Sequence, residues 1–557
     1  MTNLKWSVTL LFALIFSNVS GQQNLKSKRI ENLISNGVST AMPFSVYIIA
    51  WDTLKNNRPD GIYETDGFSG VIVSAQGHIL TAAHAIKANQ VYQVTFVDGR
   101  KYTALPLGRI GIDEKNAVYD MAMIKITKEE KFDYAQMAAG SEMVLNQPVI
   151  SISYPASFLK STPNVRYGRI SNTDTGNGFI QSSAKMEPGD SGGPLFDLKG
   201  RLIGIHSRIK EDESQNFDIP VDSFLKYWTP LNKPIDYQKV PLPDSLRETI
   251  NPSLMPPFPS IDSLIGITSK QEKSVAVVLS NDGDQIKKIL GTWVRIKNET
   301  YLISKSSMVA ANPRILVEGK IFESTVINRD RRNDLILLKP NLKISYGIQL
   351  GAKPPKRFGG EDHPGKMLIS VLPAQLKKIG IFSGLPVTVP LSNSIGYLDV
   401  GAKYQDGKIL ITEIPQNKAI TTKLKRDDHI SAVNGKPIVK PEDFINAFTS
   451  YYAGDVVKLD IIRNGLPLTV ETYLEGQPTL NHASYAYAGG RSERSDGFDH
   501  VLISDAAIES AECGSPVFDR SGRFCGINIA RHSRTSVLIM PAESIRGFIL
   551  QSLQKNS

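Results

Sequence analysis

The chain has 557 residues, 64 Lys and Arg against 55 Asp and Glu, a formal net charge of +9 and only two cysteines. That length exceeds what one hydrophobic core organises, so several domains are expected. Two cysteines exclude a disulfide framework, and basic residues scattered without a stripe or motif exclude a nucleic-acid-binding protein and leave the charge to a solvated surface.

The chain opens with Asn3-Leu4-Lys5, an apolar run from Val8 to Phe16 and then Val19-Ser20-Gly21. This reads as a signal peptide over 1–21, cut after Gly21 to leave Gln22. The apolar run is too short to span a bilayer, and no later segment is longer and as apolar. A periplasmic or secreted protein without a membrane span is expected, beginning with an N-terminal segment over 22–41.

Next comes Gly77-His78-Ile79-Leu80-Thr81-Ala82-Ala83-His84, an apolar strand running into small residues and a histidine. Tyr119-Asp120-Met121-Ala122-Met123-Ile124-Lys125-Ile126 follows, where an aspartate opens an alternating strand. The third block is Pro188-Gly189-Asp190-Ser191-Gly192-Gly193-Pro194. Glycines on both sides of a serine permit a tight exposed turn on which the N–H groups of Gly189 and Ser191 converge as an oxyanion hole. A serine hydroxyl becomes a nucleophile when a base takes its proton and a third group orients that base. The order His84, Asp120, Ser191 is that of one particular class of triad. Taken singly, each block also reads as a structural histidine, a strand cap or a Gly-rich turn.

Together, Thr81-Ala82-Ala83-His84, Asp120-Met121-Ala122-Met123-Ile124 and Gly189-Asp190-Ser191-Gly192-Gly193-Pro194 resemble the signature blocks of trypsin-like serine endopeptidases, particularly the bacterial HtrA/Deg-like branch. The resemblance covers residues 42–229. It implies two six-stranded antiparallel barrels with the site between them, Ser191 as nucleophile, His84 as general base and then acid, and Asp120 fixing the imidazole tautomer. No cofactor or metal is implied. Trimers are known in such relatives, so an oligomer is a further expectation, although the module after the linker would compete for that surface.

The same resemblance places two candidate specificity residues. Lys185, six residues before Ser191, falls at the base of the first specificity pocket, and His206 matches a histidine that glutamyl endopeptidases use against acidic side chains. Two cations there would select Glu or Asp before the scissile bond; a solvent-facing Lys185 and a satisfied His206 would instead leave a preference for small apolar side chains. Met186 departs from the hydroxyl residue of the acid-selective enzymes. Trypsin-like zymogens pair a freed N-terminal amine with the aspartate before the nucleophile, here Asp190. Ile34-Ser35-Asn36-Gly37 is a weak match to such a terminus after a poor activation residue, Leu33, so signal-peptide removal alone is expected to suffice.

Eight prolines between Pro230 and Pro259 mark a linker over 230–264. Beyond it the pattern repeats. Tyr301-Leu302-Ile303-Ser304-Lys305-Ser306-Ser307, Asn333-Asp334-Leu335-Ile336-Leu337-Leu338-Lys339 and Glu512-Cys513-Gly514-Ser515-Pro516-Val517-Phe518-Asp519 align with the three blocks, and Gly-Arg-x-x-Gly-Ile follows in both copies. The base position has become Ser307 and the nucleophile position Cys513. The segment thereafter offers His532 as a substitute base, but an inactive second copy over 265–393 and 476–557 is the better reading. Hairpin register places Cys525 near Val517, away from Cys513, which argues against a disulfide.

Residues 394–475 interrupt this copy. Strands at Ile409–Ile414 and Val456–Ile462, an Asn434-Gly435 turn and a helix near Pro441–Phe448 resemble a PDZ domain of the bacterial protease type. Its loop Gly396, Tyr397, Leu398, Asp399 and Val400 would offer N–H groups to a peptide C-terminal carboxylate. Asp399 replaces the small residue usual there, and its charge opposes a carboxylate.

The expected fold is mainly β: a chymotrypsin-like double barrel in two copies, the second inactive, plus a small α+β PDZ-like domain. The expected function is an exported serine endopeptidase acting on proteins or peptides, with the later modules selecting substrates or regulating. The competing reading is a non-catalytic scaffold or peptide-binding sensor.

Overall fold

The computed structural model describes residues 25–51, 67–114, 117–138, 143–158, 162–244, 261, 265–282, 285–351, 362–384, 386–405, 408–415, 423–476 and 487–555. The expected signal peptide and most of the proline-rich segment lie outside these. The protein is mainly β and divides into two compact units, one of residues 1–387, 482–490 and 501–557, the other of 388–481 and 491–500.

In the first unit, strands Ser45–Trp51, Phe68–Ile72, His78–Ala82, Met121–Ile126, Lys101–Ile110 and Val91–Phe96 pair in that order and close on themselves. Alternation along these strands sends Val46, Ile48, Ile79, Val94 and Ile124 into one apolar interior. A second closed barrel follows, from Pro148–Ser153, Asn164–Asn172, Ile180–Ser182, Asn216–Pro220, Leu202–Ile209 and Pro194–Asp197.

The same plan recurs later in the unit. Val275–Asp282, Gln285–Ile296, Glu299–Lys305, Leu335–Pro340, Lys320–Asp330 and Arg314–Val317 make a third six-stranded barrel. Met367–Val371, Lys377–Ile381, Pro516–Asp519, Phe524–Arg531 and Val537–Pro541 form a sheet whose order matches the second barrel. A single bridge between Phe382 and Ser504 takes part in its closure. The start of the proline-rich segment is not a free tether, because Asp236–Tyr237 adds a short parallel strand to Arg109–Ile110 of the first barrel.

The N-terminal helix over 25–41 joins the two copies. Ile30, Ile34 and Val38, one turn apart, share an apolar cluster with Phe196 and Leu198 of the first copy and Met367, Ile369 and Phe518 of the second. Glu31 Oε2 accepts the Met367 N–H at 2.9 Å.

The second unit contains strands Gly401–Gln405, Lys408–Glu413, His429–Val433, Val456–Arg463 and Leu466–Tyr473 in that order, with one helix, Pro441–Ala447. Asn434 and Gly435 both take positive φ, 48° and 76°, as a two-residue turn between His429–Val433 and Lys436–Pro437 requires.

Candidate active site

Three elements meet at one cleft. His84 sits on a single 3₁₀ turn, Ala83–Ala85, at the end of strand His78–Ala82, and Asp120 immediately precedes strand Met121–Ile126, which pairs with it. Ser191 lies on the turn before strand Pro194–Asp197 in the other barrel. His84 Nε2 lies 2.8 Å from Ser191 Oγ, and His84 Nδ1 lies 2.8 Å from Asp120 Oδ2. A carboxylate only accepts, so Nδ1 carries the proton and Nε2 accepts from the serine hydroxyl.

Asp120 is almost fully buried, which by itself would push its carboxyl up. The hydrogen bond and charge of His84, the Ser207 hydroxyl at 2.5 Å and the His84 backbone N–H at 2.9 Å outweigh burial and hold it below the usual carboxylate range. Ser207 was not legible as part of this site from its own sequence context.

The turn itself is held from several sides. The Pro188 carbonyl accepts from the Ala156 N–H at 2.8 Å, which turns the Gly189 N–H to the other side of that planar peptide. Ser69 Oγ donates to the Gly189 carbonyl at 2.8 Å, and Ser69 N–H to the Ser191 carbonyl at 3.0 Å. Gly189 has φ +95°, and a Cβ there would stand 2.6 Å from Ala156 N. Gly192, φ +80°, would meet Thr81 Oγ1 even more closely. Both positions therefore require glycine. Among the described residues, the N–H groups of Gly189 and Ser191 have no partner.

Asp190 does not await an N-terminal amine. Its carboxylate takes both terminal nitrogens of Arg166, at 2.6 and 2.7 Å, with Ser153 Oγ at 2.8 Å and the Glu187 N–H at 2.7 Å. Ile34, the candidate new terminus, is fully buried within the N-terminal helix.

The two candidate specificity residues lie elsewhere. The cleft beside Ser191, about 310 Å³, is lined by Met186, Glu187, Pro188, Ser207, Arg208 and Ile209 together with His84, Asp190 and Ser191. Lys185 turns away and pairs with Glu213 at 2.9 Å. His206 points into the barrel, between Ser151 Oγ at 2.6 Å and Asp218 Oδ1 at 2.5 Å. The reason is the pleat: its neighbour Ser207 faces Asp120, so His206 faces the opposite way. A pair of cations selecting an acidic side chain is thus absent from this cleft.

In the second copy, the Ser307 N–H donates to Asp334 Oδ1 at 2.6 Å and its hydroxyl to Oδ2 at 2.8 Å, the bonds that His84 makes to Asp120. The buried Lys305 ammonium also occupies Asp334 Oδ2, at 2.7 Å, and the Ile529 carbonyl at 2.8 Å. Gly514 N–H donates to the Asn528 carbonyl as Gly192 N–H does to His206. Lys378 and Glu512 pair at 2.7 Å, in the register of Arg166 and Asp190. Cys513 and Cys525 are buried and form no disulfide, and burial pushes the Cys525 thiol well up. His532 donates from Nε2 to the Ser157 carbonyl at 2.8 Å and packs at a tilt against the Phe158 ring.

In the second unit, three of the five loop N–H groups are already engaged: Gly396 with Tyr451, Tyr397 with Glu475 and Val400 with Leu398. Tyr397 Oη donates to Asp399 Oδ1 at 3.0 Å. Among the described residues no group of three or more His, Cys, Asp or Glu could hold a metal ion, and no helix is long and apolar enough to cross a membrane.

Residues 68–205 match the trypsin-like peptidase domain family and residues 396–474 the PDZ domain family. The chain is 32% identical over 155 residues to the probable periplasmic serine endoprotease DegP-like of Bartonella henselae, covering 27% of this chain and 29% of that one. It is 27% identical over 208 residues to human serine protease HTRA4, covering 36% and 42%. A longer match, 24% identical over 412 residues, joins it to the DegP-like protein of a Marinomonas species and covers 72% of this chain and 78% of that one. The first two matches span less than half of the relatives' length. Residues 68–205 and 396–474 thus carry a trypsin-like peptidase domain and a PDZ domain, and the chain is similar to serine proteases described as DegP-like and HTRA4.

Proposed function

We propose that the chain is an exported serine endopeptidase that cleaves protein or peptide substrates through an acyl-enzyme on Ser191. The observation that carries this reading is the unbroken relay Ser191 Oγ–His84 Nε2, His84 Nδ1–Asp120 Oδ2, each step 2.8 Å. Ser191 Oγ attacks the scissile carbonyl carbon while its proton passes to His84 Nε2. The carbonyl π pair moves to oxygen, which the Gly189 and Ser191 N–H groups stabilise. Collapse breaks the C–N bond as His84 returns the proton to the leaving amine. Water then attacks the acyl carbon, giving its proton to His84, and the second collapse frees the carboxylic acid and restores Ser191.

Met186 and Ile209 make the cleft beside Ser191 suited to an apolar side chain before the scissile bond. The second copy is a non-catalytic module: its base position holds a serine, its carboxylate is neutralised by Lys305 and its thiol is buried. The PDZ-like unit binds peptides, and opening the Val400–Leu398 bond would free one more donor for a ligand carboxylate. Export is supported by the periplasmic description of the DegP-like relatives.

Labelling of the full chain with a fluorophosphonate tests the reading. We expect one adduct, lost in Ser191→Ala and retained in Cys513→Ala. No adduct on the wild type in the presence of peptide ligands or unfolded protein would favour the scaffold instead.

A further inference from the structure

The altered copy touches the first copy at a particular place. The turn from Arg531 to Ser536 of the second copy packs on the loop after strand Pro148–Ser153, on the hairpin around Glu213 and on strand Asn164–Asn172 of the first. Arg531 and Arg534 are 1% and 0% exposed. Burying guanidinium groups costs several kcal/mol each unless they are well paired, and apolar residues would adhere as well or better. What such groups add is geometry. Arg534 donates to the Glu211 carbonyl at 2.9 Å and the Asp212 carbonyl at 2.7 Å, while Arg531 donates to Glu213 Oε1 at 2.9 Å.

From these contacts two continuous routes lead to the catalytic turn. Along the first, His532 holds the Ser157 carbonyl and packs against Phe158, tilted by 45° at 4.6 Å between ring centres. Ser157 Oγ in turn bonds Glu187, and the adjoining Ala156 N–H fixes the Pro188 carbonyl, on which the direction of the Gly189 N–H depends. Along the second, Arg531 pairs with Glu213, Glu213 with the Lys185 ammonium, the Lys185 carbonyl with Arg166, and Arg166 with Asp190. The routes end at residues 188 and 190, on either side of the oxyanion donor Gly189.

We propose that the non-catalytic second copy acts within the same chain as a positioning element for the oxyanion turn, with His532 and Arg531 as its contact residues. This rests on the peptidase reading of Ser191. The triad hydrogen bonds do not run through either route, so the second copy governs stabilisation of the tetrahedral intermediate and leaves the His84–Asp120 relay alone.

The test uses the full chain with His532→Leu, which removes the donor, and His532→Gln, which restores an amide donor of similar reach. Glu213→Gln, which weakens the second route, is the companion variant should His532→Leu fold poorly. For His532→Leu we expect kcat and the rate of fluorophosphonate labelling to fall roughly tenfold or more, toward the 10²–10³-fold effect of losing an oxyanion donor. KM and the pH profile should stay near wild type, and His532→Gln should recover most of the rate. Glu213→Gln should lower kcat in the same direction. Wild-type labelling and kcat in folded His532→Leu, or in Glu213→Gln, would overturn the positioning role while leaving the peptidase intact. An unlabelled wild type would instead overturn the peptidase reading and the positioning role with it.

Discussion

Both terminal nitrogens of Arg166 reach the carboxylate of Asp190, at 2.6 and 2.7 Å, and neither side chain sees solvent. The carboxylate of the residue before Ser191 is therefore neutralised from inside the fold by Arg166. Removing one partner strands a buried charge, at a cost of about 3–5 kcal/mol. Arg166→Met should lose about that much stability in urea unfolding and lose peptidase activity with it. The double variant Arg166→Met/Asp190→Asn should recover much of the stability. Equal destabilisation by the single and double variants would show that the pair is not coupled.

Asp120 accepts from the His84 backbone N–H, His84 Nδ1 and Ser207 Oγ at once. Asp120→Asn keeps the shape but presents an amide N–H where an acceptor is needed, favouring the wrong imidazole tautomer. We expect kcat to drop on the order of 10³–10⁴-fold, with a thermal midpoint close to wild type, as read by peptide cleavage and calorimetry. Ser207→Ala, which removes one donor, should cost much less.

Burial, together with the nearby Arg531 charge and against the attraction of Glu213 and Asp505, pushes the Lys185 ammonium down to about 8, from an ordinary 10.5. Between those values the unfolded chain holds a proton that the folded chain has released, so stability rises with pH across that window. Below pH 8 the charged lysine is a standing penalty, roughly 3 kcal/mol by this shift. Urea midpoints of wild type and Lys185→Met should therefore converge as pH rises from 8 toward 10.5. A constant difference across that range would refute the assignment.

Beside His84 lies a further cleft of about 400 Å³ bearing Arg109, Asp113 and Arg208. Arg109 is neutralised by Asp236 at 2.9 Å. The Arg208 guanidinium instead lies 4.6 Å over the Phe179 ring, and no described carboxylate pairs with it. This site should favour an acidic side chain on the N-terminal side of the scissile bond, one or more residues before it. In paired peptides, Arg208→Glu should lower the Asp-to-Lys ratio of kcat/KM by roughly fivefold or more, the scale of an exposed charge pair. An unchanged ratio would remove Arg208 from the specificity site.

The relay residues were legible because His84, Asp120 and Ser191 each sit in a local pattern that the chain displays without folding. The repeat was legible for the same reason, and Ser304 Oγ donates to the Leu290 carbonyl as Thr81 Oγ1 does to the Ser69 carbonyl. Lys185 and His206 were misplaced because a position in the chain does not say which way a side chain faces. For His206 the two-residue period of its strand, with Ser207 needed at Asp120, held the missing clue. Arg166, Lys305 and His532 had no local signal: their partners lie 24, 29 and 375 residues away, and only the fold introduces them.

The apolar seam built from Ile30, Ile34, Val38, Met367, Ile369 and Phe518 has a consequence for the order in which the molecule is made. Its first and last members are separated by most of the polypeptide, so the N-terminal helix can pack on Phe196 and Leu198 early but cannot complete the seam until strand Pro516–Asp519 exists. Such distant pairings form late, because the loop must close before any contact rewards it. A nascent chain that still lacks strand Pro516–Asp519 would hold Ser191, His84 and Asp120 while its N-terminal helix lacks one side of the seam. Closure of the helix seam would then wait on strand Pro516–Asp519, however early the helix itself is made.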